Sequence, residues 1–289
     1  MSYLVKVSKP LKTPRDSINS PFRYAGGKFY ARNQILPLIP KHTNYFEPFC
    51  GGASIFFAKP KVRFNHLNDI DSELINTLTF IKNHPELLIR RLRNEQATKE
   101  RHGYYKNNYK PKTELDMAVR WYYLNRTSYS GIMKPVNCFF GYGPTFSMRP
   151  ENWPRSILKT SAKLQGVKLT SHDFVRSIDK SADGSFLFID PPYFNADQNK
   201  FYTHSFVKED HLRLVECLKR NKKRIKFFIT YDDCEEIREL YSWAKDIRSA
   251  EWNYTINRTD DQKTRKVRKG ERYRGKELFV FNYVPNLGQ

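Results

Sequence analysis

Apolar positions along this chain recur in two rhythms that alternate through most of its length. Dense short runs, TNYFEPF, VRFNHLND, KLTSHDF, FLFID and KFFITYDD, are rich in aromatic and β-branched residues and predict strands. Between them, ARNQILPLI, SIFFA, DHLRLVECLKR and CEEIRELYSWA space their apolar residues for one face of a helix. The longest such pattern, Leu74, Ile75, Leu78, Ile81, Leu87, Leu88 and Leu92, fits a period near 3.6 with a break at Pro85. GKELFVFNYV follows late in the chain as an alternating strand. This alternation predicts an α/β fold: a mainly parallel sheet with flanking helices, its sites at the carboxyl ends of the strands.

From about Gly103 to Arg155 the pattern changes. Tyrosine, proline, glycine and basic residues crowd around one helical piece, ELDMAVRWYYLNRT, which reads as an inserted domain. The chain of 289 residues is 39% hydrophobic, enough to bury one large core or a core domain carrying a smaller one. No stretch approaches the roughly 20 apolar residues of a membrane span, and MSYLVKVSKPLKTPRD has no apolar run of signal-peptide length, so an intracellular, cytoplasmic protein with no membrane partner is expected. Cys50, Cys138, Cys217 and Cys234 form no CxxC pair and have no histidines at zinc-finger spacing, so reduced thiols and no metal are expected. The net charge of +21 draws polyanions, of which nucleic acid is the commonest. Much of it gathers in NRTDDQKTRKVRKGERYRGK, 257–276, a basic loop that either tracks phosphates or is simply solvated.

Three strand ends carry candidate chemistry. In FEPFCGG, 46–52, glycines let the backbone approach a ligand beside Glu47, although such a turn also serves chain geometry alone. Asp69 follows about twenty residues later, the spacing at which an acid accepts hydrogen bonds from a ribose hydroxyl pair; a helix cap is the equal alternative. In IDPPY, Pro191 and Pro192 cannot donate to a ladder and must end the strand. Asp190 then projects from the rim, with Tyr193 held a short, stiff distance away.

With these residues the chain resembles the Dam-type, alpha-group DNA adenine N6-methyltransferases. The likeness runs through FRYAGGK (22–28), FEPFCGG (46–52), NDID (68–71), NRTSYSGIM (125–133), HDF (172–174), IDPPY (189–193), TYDD (230–233) and GKELFVFNY (275–283). It implies a Rossmann-like sheet with an inserted, mostly helical DNA-recognition domain carrying a hairpin: residues 1–71 and 161–289 for catalysis, 72–160 for target recognition. It implies methyl transfer from S-adenosylmethionine to the N6 amino group of adenine in double-stranded DNA, by base flipping and direct in-line transfer. Asp190 and the carbonyl of Pro191 would accept the two amino hydrogens, and Tyr193 would stack on the base. Tyr24 and Lys28 would meet the methionine end of the cofactor, with Glu47, Phe49 and Gly51 forming the glycine turn. Asp69 would take the ribose and Asp173 and Phe174 the adenine ring, leaving Asp190 between cofactor and base.

For DNA contacts the resemblance points to Arg23, Arg126, Tyr129, Ser130 and Lys134. Ser130 stands where relatives commonly have Asn, and Lys134 near an expected Arg; because lysine is a point donor rather than a fork, GATC is only the default target. A companion restriction endonuclease acting separately is a possible partner. Aspartate at the first position of DPPY, together with YAGGK, favours DNA adenine over cytosine N4 or RNA adenine. The intact Asp190, Tyr193 and glycine turn speak against a noncatalytic DNA-binding protein on the same fold.

Overall fold

The computed structural model describes residues 16–24, 26–145, 147–195, 203–253 and 274–285. Its centre is a seven-stranded sheet, formed by β1 (Asn44–Glu47), β2 (Phe64–Asn68), β3 (Val167–Thr170), β4 (Phe186–Ile189), β5 (Lys226–Asp232), β6 (Asp246–Asn253) and β7 (Arg274–Phe281). The spatial order is β3-β2-β1-β4-β5-β7-β6. The first five strands in that order run parallel, β7 runs antiparallel to β5, and β6 runs antiparallel to β7. From β1 the chain builds outward through β2 to β3, then returns to lay β4 on the other side of β1. The strand order therefore reverses between β1 and β4, the position at which parallel α/β sheets commonly bind ligands at their carboxyl ends.

The pleat sends alternate side chains to opposite faces, and each face has its own core. In β4, Phe186 and Phe188 join the cluster with Tyr45, Leu67, Phe228 and Phe279. Leu187 and Ile189 join the other, with Phe46, Phe227, Ile229 and Leu278. All four residues of β4 are buried, as a central parallel strand requires.

Ten α-helices surround the sheet among the described residues: α1 (Arg32–Ile35), α2 (Ser54–Ala58), α3 (Ser72–Asn83), α4 (Pro85–Leu92), α5 (Lys99–Gly103), α6 (Glu114–Thr127), α7 (Trp153–Leu164), α8 (Phe174–Asp179), α9 (Lys208–Asn221) and α10 (Glu235–Leu240). Pro85 divides α3 from α4 as the sequence predicts, occupying the first turn of α4, where a missing N–H leaves no helical bond unmade. Thr113 and Asp116 close a capping box that starts α6. The insertion is not isolated from the sheet. Trp121, Tyr122 and Trp153 belong to the same apolar cluster as Tyr45 and Phe186.

Several elements depart from the sequence reading. β6 was not foreseen: Ile247, Ala250 and Trp252 are its only apolar residues, and it is an edge strand paired on one side only. α7 was also missed, because its buried stripe, Trp153, Ile157, Thr160, Ser161 and Leu164, mixes hydroxyls with apolar groups. α10 stops at Leu240, short of the predicted WA, and Trp243 turns in against Phe227 at 5.9 Å between ring centroids.

The expected hairpin is reduced to a single antiparallel bridge, Ser128 to Phe140, closing a loop with 3-10 turns at Tyr129–Gly131 and Pro135–Asn137. Ser130 and Gly131 both have positive φ, and Pro135 cannot donate to a ladder, so two regular strands cannot propagate here. Among the described residues no helix is long and apolar enough to cross a membrane.

Candidate active site

The three strand ends singled out in the sequence come together at the reversal point of the sheet. At the end of β1, Glu47 is buried, and its Oε1 accepts from the Tyr45 hydroxyl at 2.6 Å and the Phe56 N–H of α2 at 2.8 Å. The glycine turn follows. Gly51 has φ +44°, and a Cβ there would meet the ring of Tyr24 at 2.8 Å, so only glycine fits beneath that ring.

Asn68, at the end of β2, ties three strand ends together. Its amide donates to the carbonyls of Pro48 and His172, and its oxygen accepts from Thr170 Oγ1 and the His172 N–H. Beside it, Asp69 accepts from the Gly51 N–H at 2.8 Å through Oδ2 and from the Asp71 N–H at 3.0 Å through Oδ1. The cap of α3 is Asp71, which accepts from Glu73 and Leu74, so Asp69 is not the helix cap. Burial pushes the Asp69 carboxyl up to about 6, against the pull of its two backbone donors.

Asp190 projects from the end of β4 and meets a buried ammonium. Lys28 Nζ lies 2.6 Å from Asp190 Oδ1 and 3.9 Å from Glu277 Oε2 on β7. It also donates to the Gly26 carbonyl at 3.1 Å and lies 4.8 Å from the centroid of the Tyr193 ring. Burial disfavours the Lys28 charge, but Asp190 and Glu277 outweigh it and hold the pKa above its ordinary value. Thr230 Oγ1 of β5 donates to the same Asp190 oxygen at 2.7 Å. Both described contacts to the Asp190 carboxylate thus fall on Oδ1.

An aromatic wall stands on the other side of the glycine turn. Phe49 lies 5.2 Å from Phe174 and 5.6 Å from Phe206 between ring centroids. Asp173 caps α8 by accepting from the Val175 N–H, and its other oxygen pairs with Arg213 at 2.9 Å. Its carboxylate is therefore already engaged by the protein, which the sequence did not foresee.

The expected DNA contacts divide into two groups. Tyr129 is exposed and Lys134 half-exposed on the loop closed by the Ser128–Phe140 bridge, and half-buried Ser130 forms its left-handed turn. Arg126 is instead buried and donates to the Pro21 carbonyl, while Arg23 donates to the Ser128 carbonyl and Ser147 Oγ. Asn125 fixes the Arg23 backbone through both its N–H and its carbonyl. A Cβ on Gly131 would fall 2.2 Å from that carbonyl. In this conformation the two arginine side chains are tied to backbone carbonyls and to Ser147 around the loop that bears Tyr129. The basic run 257–276 lies outside the described residues up to residue 273.

Sequence reasoning missed Thr230, Asp232 and Glu277 as site residues. TYDD and GKELF stood in the motif order, but a threonine or an acid within a strand carries no signal of which strand end it faces.

A family model described as D12 class N6 adenine-specific DNA methyltransferase matches residues 24–256. The chain is 26% identical to the type II methyltransferase M1.LlaDCHI of Lactococcus lactis subsp. cremoris, over 90% of this chain and 94% of that protein. It is 31% identical to the type II methyltransferase M.CviBI of Paramecium bursaria Chlorella virus NC1A, over 76% of this chain and 85% of the other. Against the DNA adenine methylase of Escherichia coli strain K12 it is 26% identical over 77% of this chain and 84% of that one.

The Glu47 environment makes a stability prediction. Burial, with the Asp190 charge adding to it, pushes the Glu47 carboxyl from 4.5 to about 8, although the bonds from Tyr45 and Phe56 pull the other way. Between those values the folded state holds a proton that the unfolded chain has released, so the Glu47 contribution to stability falls as pH rises through that window. Glu47→Gln keeps an acceptor and removes the titration. In thermal unfolding it should match the wild type near pH 5 and exceed it near pH 8.5 by on the order of 1 kcal/mol or more. The same difference at both pH values would contradict the assignment.

Proposed function

The chain belongs to the D12 class of N6 adenine-specific DNA methyltransferases, and from that premise we propose that it moves a methyl group from S-adenosylmethionine to the N6 of an adenine flipped out of double-stranded DNA, in one in-line step. The observation that carries this reading is the Asp190 carboxylate, held through Oδ1 by Lys28 and Thr230 at the rim where the sheet order reverses.

The residues present fit the cofactor. A bare glycine turn, a buried acid at the next strand end and an aromatic wall suit a ribose and a flat ring with an aliphatic tail. Each Asp69 oxygen accepts one backbone N–H and keeps a further lone pair for a ribose hydroxyl. Phe49 and Phe174 offer apolar surface to the adenine ring, while Tyr24, Lys28, Glu47 and Gly51 frame the methionine end. For Asp173 the reading is the same: one oxygen caps α8 and the other pairs with Arg213, and each keeps a further lone pair to meet the adenine ring. When bound there, S-adenosylmethionine supplies a methyl already activated on a sulfonium sulfur.

The protein's own task is to prepare the amino nitrogen, whose lone pair is delocalised into the adenine ring. Asp190 accepting one N–H and the Pro191 carbonyl accepting the other favour tetrahedral nitrogen and localise that lone pair. The carboxylate also stabilises the positive charge that N6 gains as the new bond forms and the carbon–sulfur bond breaks to leave a neutral thioether, after which the methylated nitrogen releases one proton to solvent. Lys28 and Thr230 keep it from rotating away. Tyr193 gives the base a stacking face, worth about 1–3 kcal/mol against the cost of leaving the duplex.

We divide the chain by task into 1–71 with 161–289 for catalysis and 72–160 for target recognition, two functions served by one continuous core. Tyr129 and Lys134 on the exposed loop suit a wedge beside the flipped base and a donor to a base edge. The resemblance to two type II methyltransferases supports a companion restriction endonuclease that acts separately.

Asp190→Ala should slow methyl transfer by several orders of magnitude, each tenfold being about 1.4 kcal/mol of barrier. Cofactor affinity should change far less. Near-normal turnover of labelled S-adenosylmethionine would remove the mechanism.

The raised Asp69 pKa gives cofactor binding a pH dependence. Protonation below about 6 turns an acceptor into a donor, so S-adenosylmethionine affinity should fall on acidification from pH 7.5 to 5. Asp69→Asn should flatten the profile. Calorimetry showing constant wild-type affinity across that range would take Asp69 off the ribose.

A further inference from the structure

Strand β5 reaches the site with two side chains that the pleat sends to one face, Thr230 and Asp232. Thr230 fixes the first residue of the Asp-Pro-Pro-Tyr element through Asp190 Oδ1. Asp232 holds the chain just past its last. One oxygen accepts from the Phe194 N–H at 2.9 Å and the other from the Asn195 N–H at 3.0 Å. Two consecutive backbone donors on the two oxygens of one carboxylate make a fork that fixes the direction of the backbone as well as its distance.

We propose that Asp232 is a positioning residue for methyl transfer: it anchors the segment after Tyr193 to β5, so that the ring and the Pro191 carbonyl stand where the flipped base must lie. The inference rests on the reading of Asp190–Tyr193 as the catalytic element. Asp232 is not a helix cap, because α10 is preceded by Cys234, whose side chain makes no capping bond. Nor does it serve its own strand. Its carboxylate oxygens reach across to residues that follow the neighbouring strand β4. Opposite Asp232 in the ladder is Glu277, the second carboxylate beside Lys28. Adjacent positions on β5 and β7 thus support the two ends of the site: Glu277 faces the ammonium that holds Asp190, and Asp232 holds the turn beyond Tyr193.

The test compares Asp232→Ala and Asp232→Asn with the wild type and with Asp190→Ala, all as the full chain. The readouts are the kcat and KM for S-adenosylmethionine on unmethylated genomic DNA, cofactor affinity by calorimetry, and the melting temperature. A misplacement near 1 Å slows chemistry by about a hundredfold, so Asp232→Ala should lower kcat about ten- to a hundredfold. KM, cofactor affinity and melting temperature should stay near their wild-type values. Asp232→Asn keeps one acceptor and should fall between the two. Wild-type turnover in Asp232→Ala, or a loss matched by equal losses of cofactor affinity or folded protein, overturns the positioning role. Full activity in Asp190→Ala overturns the catalytic reading and this inference together. An inactive Asp190→Ala beside a fully active Asp232→Ala overturns this inference alone.

Discussion

A buried ammonium must have a counter-charge, and the arrangement of this site depends on how Lys28 finds one. Its chain position is far from those of its partners, since Asp190 follows β4 and Glu277 lies on β7, yet Nζ stands 2.6 Å from the first and 3.9 Å from the second. Removing one member of such a buried cluster leaves a charge uncompensated, which typically costs about 3–5 kcal/mol. In the folded chain this pairing holds Lys28 at the rim of the sheet. A few residues earlier, the Tyr24 ring lies over Gly51, and Arg23, through Asn125 and the Ser128 carbonyl, supports the loop that bears Tyr129. The glycine turn, Asp190 and the loop bearing Tyr129 consequently share one short segment.

The sheet supplies the other half of the geometry. Parallel strands end together, so the polar residues that terminate β1, β2, β4 and β5 gather at one rim without any long-range steering of side chains. Asn68 and Asp69 show how local bonds then refine that rim, the first joining three strand ends and the second pinning the glycine turn. Such groups lose little freedom when a ligand arrives, because their own hydrogen bonds already hold them.

Much of this was legible in the sequence where local chemistry dictates structure. Pro191 and Pro192 had to end a strand and the β–α alternation implied a mainly parallel sheet, whereas the glycines of FEPFCGG were readable either as a close approach or as chain geometry, and the Tyr24 ring over Gly51 shows the close approach. What escaped depends on packing partners distant in the chain. β6 exists because β7 offers it a ladder, and α7 because its mixed stripe of hydroxyls and apolar groups meets α3 and α4. Arg126 and Arg23, expected at the DNA from the resemblance, are tied to backbone carbonyls instead: Arg126 is buried and Arg23 half-buried, and the bare Gly131 leaves room for the Arg23 carbonyl beside it. Asp173 read as a ligand contact, and only the fold brings α9 near enough for Arg213 to reach it.

The central claim is that the Asp190 carboxylate, braced on one oxygen, holds the adenine amino group for transfer. A crystal structure of the protein with a target duplex and a nonreactive analogue of S-adenosylmethionine tests it most directly. Adenine N6 should lie within hydrogen-bonding distance of Asp190 and the Pro191 carbonyl, with Tyr193 against the base and Lys28 still beside Asp190. An adenine left stacked in the duplex, or held with its amino group facing away from Asp190, would contradict the claim.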